Sequence, residues 1–551
     1  MTTYTKRFLT LLLAIVAVNA LSAFMYARFD LTADQRYTLS GGTRQLLSTL
    51  PAQVHIDVYL TGALPPGFKR LETAVRETLD GFAAEAGSNI SYRFIDPMAG
   101  TSAEQTKRLE QLAELGLQPT NLFANQGGKR TEQLVVPGAV VNYEGKQSSV
   151  LLLKGNKAAS PEEQLKQSYE GVEYQLAAAI RRLTQPVGSR RRVGVVFGHT
   201  QVPPERFSDL LASIQESYDL FFVDLRKPGP VAGIDALMVL KPDQPFTESD
   251  VFKLDQYVVK GGRMLFAIDG QRVDSVGRDG SYAQPLALGV DELFFNWGAR
   301  INKDVVKDLT SGAIPLNVGN LGDKPNIQLV PWRFYPVINS FGDSPITRNL
   351  DAVYTRFLST IDTVRADGIR KTVLLRTSPY TQVLKTPTLV AYNEARQQPD
   401  PATYSGGVRN VGTLLEGQFT SLFANQILPD PLKNGFVKRG QAAKVLICSD
   451  GDLVVNDVDY KRKAPLPLGY DRFTRTQFAN KDFVLNALDY LVDPEGLITA
   501  RQREVPLRPL DKVKIGSERT QWQLLNVLGP LTLIGVVGVV WQVARRRRYG
   551  A

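Results

Sequence analysis

The chain has 551 residues, 43% of them hydrophobic and 22% charged, with a net charge of +10. Those proportions fit a folded globular body. Six of the positive charges sit at the ends, on Lys6, Arg7 and Arg545 to Arg548, and the +4 left for the rest is too little for a nucleic-acid-binding protein.

In chain order, the first element is an apolar run from Phe8 to Ala27, preceded by Lys6 and Arg7. It has the ~20 residues a helix needs to cross a bilayer. The competing reading is a cleaved signal peptide, given the basic start and the small residues Ala20, Ser22 and Ala23. Either way the body is exported.

The body then alternates strands and helices. Val54 to Leu60 reads as a strand, Leu71 to Ala86 as a helix and Ile90 to Asp96 as a strand, which is one β-α-β unit. A helix over Glu104 to Leu115 ends at Gly116, a suitable C-terminal cap. Gln133 to Leu153 reads as paired strands with a turn at Glu144-Gly145, and Gly171 to Leu183 as a helix.

Gln185 to Arg192 carries proline, glycine and charge, and marks a boundary. Beyond it come strand Arg192 to His199, helix Glu205 to Ser217 and strand Asp219 to Leu225. Strand Ala236 to Leu240, helix Glu248 to Lys260 and strand Arg263 to Asp269 follow. Near-continuous apolar strands between helices imply a parallel, doubly wound sheet covered on both faces. Residues 300 to 435 are turn-rich, with short strands such as Lys371 to Ser378. Lys444 to Asp457 reads as a core strand opening into a loop, and Lys481 to Leu491 as a helix. Residues 497 to 520 are polar and basic and return the chain to the membrane.

The last element is the apolar run Leu524 to Val543, followed at once by Arg545 to Arg548. Trp522 and Trp541 bracket it, ~28 Å apart at helical rise, as interfacial aromatics would. Pro530 is tolerable inside a spanning helix. Asn19 and Asn526 either bond to other spanning helices or sit near an interface. The basic residues at both ends place both termini in the cytoplasm and the body on the far side.

The expected fold class is therefore α/β, with extracytoplasmic doubly wound parallel-sheet domains between two single transmembrane helices. The boundaries are 1–28 for the first span, 29–185 and 186–500 for two extracytoplasmic domains, and 501–551 for linker, span and basic cytoplasmic tail. The location is a bacterial cytoplasmic (inner) membrane with a periplasmic body.

Catalytic signals are sparse. In Gly128-Lys129 and Gly145-Lys146 the leading glycine of a phosphate-binding loop is replaced by Phe123 and Val140, so no ATP cradle is encoded. His55 lies within a strand and reads as structural. Cys448, the single cysteine, lies in an apolar run and reads as a buried small hydrophobe, which excludes an intrachain disulfide. Gly198 and His199 follow a parallel strand, at the edge where such sheets bind ligands. Asp96, Asp269, Asp450 and Asp452 occupy similar strand ends. Aspartates there ordinarily cap helices or make Asx turns. Gly198, His199, Asp269, Asp450 and Asp452 are nonetheless the candidate ligand cleft. No catalytic residue, cofactor or metal is assigned.

Several stretches coincide with one family. Arg28-Phe29-Asp30-Leu31-Thr32, then Arg36-Tyr37-Thr38-Leu39-Ser40, resemble the DLT…RYSLS signature of GldG-type proteins, auxiliary subunits of type-2 ABC transport systems named from gliding motility. Thr61 to Phe82, Val135 to Gln147, Ser168 to Leu183, Val258 to Asp269, Leu414 to Phe423 and Val445 to Asp457 are similar to later blocks. The resemblance implies a non-enzymatic role beside a multi-span permease and a cytoplasmic ATPase, with an extracytoplasmic doubly wound α/β region. Membrane lipid, envelope polymer or secreted cargo are further contacts. The alternative is a stand-alone membrane-tethered envelope-glycan binding protein or hydrolase, in which strand-end acids act as paired carboxylates or sugar ligands. A ligand-free structural scaffold is the third reading.

Overall fold

The computed structural model describes residues 8, 10–16, 38–62, 64–126, 129–153, 160–185, 188–277, 279–427, 435–459, 461–493, 496–502 and 512–549. Lys6, Arg7, Asn19 and most of the first apolar run lie outside the described residues. Met1–Glu504 forms one compact unit and Val505–Ala551 another. The fold is mixed α/β, with nine sheets among the described residues.

The first lobe contains α1 (Gly41–Ser48), β1 (Val54–Val58), α2 (Pro66–Ala86), β2 (Ile90–Phe94), α3 (Ser102–Glu114), β3 (Thr120–Gln126), β4 (Lys129–Val135), β5 (Gly138–Tyr143), β6 (Lys146–Leu151) and α4 (Pro161–Thr184). Helix α2 forms because Phe68, Leu71, Val75, Leu79 and Phe82 recur every three or four residues and are all buried. Pro66 starts it with a fixed φ, and the left-handed φ of 58° at Gly87 ends it. Its apolar stripe packs on Ile56 and Val141 of the sheet and on Ala177 and Ile180 of α4. Burying each such side chain contributes ~1.5–3 kcal/mol. Helix α4 starts ten residues before the apolar periodicity does. There Ser160 Oγ accepts from Glu163 N at 3.2 Å, and Glu162 and Glu163 at the start oppose Arg181 and Arg182 at the end. Capping and dipole complementarity extend the helix where the hydrophobic pattern is silent.

The first sheet runs β2-β1-β5-β6. Only β1 and β2 are parallel; the other two pairings are antiparallel. The expected parallel sheet is corrected here. Glu144 and Gly145 adopt φ of 46° and 79°, the two-residue turn that suits hairpin twist, and a hairpin return is antiparallel.

The second lobe begins with β7 (Arg192–Phe197), α5 (Ser208–Gln215), β8 (Asp219–Asp224), β9 (Ala236–Leu240), α6 (Glu248–Val259), β10 (Arg263–Ala267) and α7 (Asp291–Trp297). It continues through the hairpin β11 (Ser311–Leu321) and β12 (Lys324–Ile338), then β13 (Ser340–Phe341), β14 (Ile369–Arg376), β15 (Asn410–Thr420), β16 (Arg439–Cys448) and α8 (Asn480–Val492). Its eight-stranded sheet has the order β13-β14-β15-β16-β10-β9-β7-β8. The five strands from β16 to β8 are parallel. The three beyond β16 are antiparallel, so this sheet too is mixed. The antiparallel half comes from the turn-rich stretch, where no α-helix among the described residues intervenes to carry a crossover.

Alternation along the parallel strands sends side chains to two cores. Val195, Met238, Leu265 and Leu446 meet Leu210 and Ile214 of α5 and Phe483, Ala487 and Leu491 of α8. Leu237, Phe266, Val445 and Ile447 meet Leu254 and Val258 of α6 and Phe294 and Trp297 of α7. The sheet is thus covered on both faces.

After α8 the chain goes back to the first lobe. Leu497, Ile498 and Ala500 are buried with Leu46, Leu47 and Ala177 in its core. The expected polar exit over 497–520 is corrected for Leu497–Gln502, a 3-10 turn whose apolar residues fill that core.

One acid joins the lobes. Asp489 of α8 accepts hydrogen bonds from the hydroxyls of Tyr174 and Tyr218. Its Oδ1 lies 2.6 Å from the Arg181 guanidinium of α4, which is also 3.8 Å from Asp493. Burial and the adjacent Asp489 charge push both phenols up, so they remain neutral donors.

In the second unit, α9 spans Lys512–Tyr549 with Pro530 inside it. Its segment Ser517–Arg548 is long and apolar enough to cross a membrane and has none of its apolar window buried. Trp522 and Trp541 are exposed at 54% and 65%.

Replacing Asp489 with alanine strands a buried guanidinium and two buried hydroxyls. Chemical denaturation of the full chain in detergent is expected to show a loss of ~3–5 kcal/mol. A loss under ~1 kcal/mol would mean the contact does not hold the lobes.

Candidate functional site

The C-terminal ends of β9, β10 and β16 lie side by side, and each strand delivers a charged residue there. Lys241 follows β9, Asp269 follows β10, and Asp450 and Asp452 follow β16. Lys241 Nζ is 2.9 Å from Asp269 Oδ2 and 2.7 Å from Asp452 Oδ2. Asp269 Oδ1 accepts from Gly451 N at 2.6 Å. Asp450 Oδ1 accepts from Asp452 N at 2.7 Å, an Asx turn, and its Oδ2 from Arg356 N at 2.9 Å. Gly451 is required by close approach: a Cβ there would lie 2.6 Å from Lys241 Cγ and 3.0 Å from Asp269 Oδ2.

The charges settle one another. Burial works against the Lys241 ammonium, but Asp269 and Asp452 overcome it and raise its pKa. Lys241 is therefore a fixed cation and hydrogen-bond donor, not a nucleophile. Burial, then the charges of Asp452 and Asp269, push Asp450 well up. Burial also pushes Asp269 up, against the pull of Lys241. Asp452 goes the other way: burial opposes ionisation, yet Lys241 and Arg356 hold its carboxyl below the usual range. Ligand oxygens of Asp269, Asp450 and Asp452 lie within 4.8 Å of one another, a spacing that suits a cation. The chain's own ammonium already stands between two of them, so a metal ion would have to compete with it.

A second belt surrounds the cluster. Arg356 reaches Asp457 at 3.1 Å and lies 5.4 and 5.3 Å from the ring centres of Tyr335 and Tyr354. Arg206 donates to Asn456 O at 2.8 Å. Sequence reasoning missed Lys241, Arg356, Arg206 and Asp457. Lys241 was findable, since it follows an apolar strand as Asp269 does; a search confined to acids and histidine passes over it. Arg356 carries no signal in the sequence, because long-range folding brings it to the site.

Gly198 and His199 serve a different place. The order of the parallel strands reverses at β7, where a ligand crevice is expected between the ends of β7 and β9. The chain closes that gap itself: His199 O accepts from Asp243 N at 2.9 Å and Gln244 N at 3.1 Å. Gly198 makes the turn with φ 90°. The buried His199 ring stacks on Phe246 at 4.2 Å, and its Nε2 is 3.3 Å from Asp250 Oδ2. Burial raises Asp250, but bonds from Thr247 and His199 hold it below the usual range. His199 thus pairs with Asp250, while Asp269, Asp450 and Asp452 are brought together around Lys241. Asp96 Oδ1 accepts from Met98 N at 2.9 Å, another Asx turn. His55 bonds Ser91 and Asp57 within the first sheet. Cys448 is buried, and burial pushes its thiol up, away from nucleophilic use.

The depressed carboxyl of Asp452 gives a pH test. Its stabilising contribution is present above the unfolded value of ~3.9 and is lost as pH falls through the lower folded value. Asp452→Asn is therefore expected to cost ~2 kcal/mol at pH 7. The difference from the parent should shrink below pH ~4 in denaturation curves. A cost independent of pH would remove the ion pair from the account.

Comparison with known proteins adds the family. The family described as "ABC-type uncharacterized transport system" matches residues 190–487, more than half of the chain. A domain family of unknown function, DUF7088, matches residues 33–142. No curated protein matches. Among solved structures, the chain is similar to the "mmIFT52 N-terminal domain" at 13% identity and a TM-score of 0.29, covering 55% of this chain and 97% of that one. It is also similar to the exo-beta-1,4-mannosidase Op5Man5 from Opitutaceae bacterium strain TAV5, at 11% identity and a TM-score of 0.20, over 71% of this chain and 52% of the other. Scores this low carry no argument. The family match does: the chain belongs to the auxiliary proteins of ABC-type transport systems.

Proposed function

We propose that the chain is a non-catalytic, GldG-type auxiliary subunit, anchored by both ends, whose extracytoplasmic body works beside a multi-span permease and a cytoplasmic ATPase. The family match over residues 190–487 carries this reading. Helix α9 supports the membrane placement, since its apolar segment is followed by the exposed Arg545, Arg546, Arg547 and Arg548. The positive-inside tendency assigns that end to the cytoplasm. Phe8 to Ala27, preceded by Lys6 and Arg7, supplies the second anchor and the same orientation. Trp522 and Trp541 sit at the two interfaces, and the arginines meet anionic lipid. Residues 29–185 with the returning turn Leu497–Gln502 are one extracytoplasmic domain, and residues 186–493 are the other, doubly wound at its centre. Motility is not part of the proposal.

The body contacts cargo, permease or envelope polymer rather than turning over a substrate. A non-enzymatic role agrees with the charge cluster, in which Asp269, Asp450, Asp452 and Lys241 are bonded to one another and to backbone. A group already neutralised in this way stiffens a sheet edge more readily than it moves protons.

Purification of the intact chain from detergent-solubilised membranes is expected to bring down a permease and an ATPase. Recovery of neither would defeat the assignment. A topology reporter inserted near residue 300 is expected to report an extracytoplasmic position, and a cytosolic signal would reverse the orientation.

A further inference from the structure

Between the two lobes lies a cavity of ≈ 250 Å³. At liquid density that is room for about eight waters, or for one molecule of monosaccharide size. Its first wall is α4, with Gln164, Gln175 and Tyr174. The opposite wall holds Asn349 and, from α8, Asn486, and Arg501 also lines it.

Carboxamides supply most of the polar lining, and two of them carry a buried atom with no hydrogen bond. Gln175 Oε1 and Asn349 Nδ2 are buried atoms with no hydrogen bond among the described residues. One is an acceptor on the first lobe and the other a donor on the second. Leaving each buried and unbonded is costly, so each favours a ligand that completes it. Both positions are built with care. Gly171 leaves space for the Gln175 amide, since a Cβ there would lie 3.1 Å from Gln175 Nε2. Asn349 holds a left-handed φ of 54°, which asparagine tolerates better than most residues.

The charges select the occupant. Arg501 donates to Arg348 O and lies 5.2 Å from the centre of the Tyr174 ring. The acids of the wall, Asp351 and Asp482, are both engaged within the chain. A single arginine facing two acids leaves no positive excess to attract phosphate or carboxylate. Amides that donate and accept in one plane suit hydroxyl groups, which do the same.

We propose that this interlobe cavity binds a small neutral polyhydroxylated ligand of monosaccharide size, with Gln175 accepting from it and Asn349 donating to it. Filling the space also ties α4 to the Asn349 loop. The inference is independent of the transport reading, and either can fail without the other.

The test is a titration of the full chain in detergent with D-glucose and with N-acetyl-D-glucosamine, followed by saturation-transfer NMR. Saturable binding of at least one sugar is expected. Gln175→Met removes the acceptor at similar volume, and Asn349→Asp removes the donor while tolerating the backbone conformation. Each is expected to weaken binding about tenfold or more. If one variant does not fold, the other decides. Failure of both sugars to bind means the cavity holds water alone and overturns the proposal. So does a loss smaller than tenfold in a folded variant.

Discussion

The ion pair of Arg181 with Asp489 governs how the folded body is put together. It is buried, it joins helices more than 300 residues apart in sequence, and it is completed by two tyrosine hydroxyls. A buried charge without its partner is far more costly than an exposed one, so the two lobes tolerate little freedom at this contact. What borders it follows: α4 and α8 form opposite walls of the interlobe cavity, and Tyr174 belongs both to the ion-pair cluster and to that wall.

A second cluster fixes the centre of the large sheet. Lys241 supplies one positive charge to three strand-end aspartates, and Gly451 lets the β16 loop come close enough to share it. Strand ends in parallel sheets are where chemistry usually develops, yet here the charges are paired with one another. The crevice at the strand-order reversal is likewise closed by the backbone of His199, Asp243 and Gln244. Both features agree with a family whose role is auxiliary.

Much of this was legible in the sequence because it depended on short-range pattern. Ala236 to Leu240 matched residue for residue, and helix α6 differed by one residue at its end, since apolar periodicity and capping agree there. The turn at Glu144-Gly145 was legible from its residue types. Helix α4 was read ten residues short because its first turns are polar and held by a cap. The hairpin of β11 and β12 went unread because Pro315, Pro325, Pro331 and Pro336 interrupt it and much of it is exposed. Strand-end logic also picked out Asp269, Asp450 and Asp452, but not Arg356, which reaches them only through tertiary folding. Parallel-sheet domains were expected, with paired strands only around Glu144-Gly145. Hairpin returns in the first lobe, and connections from β13 to β16 that hold no α-helix among the described residues, made both sheets mixed.

Leu497, Ile498 and Ala500 lie in the same core as Leu39, Leu46 and Leu47. The chain therefore enters and leaves its folded body through one lobe, and the large sheet is an insertion carried by it. A tug on either terminus is taken up in that shared core, through α1 and the turn Leu497–Gln502, while the inserted lobe hangs outside the line of tension. Mechanical strain arriving at the chain ends would thus load the smaller lobe first and leave the larger one free to keep its shape.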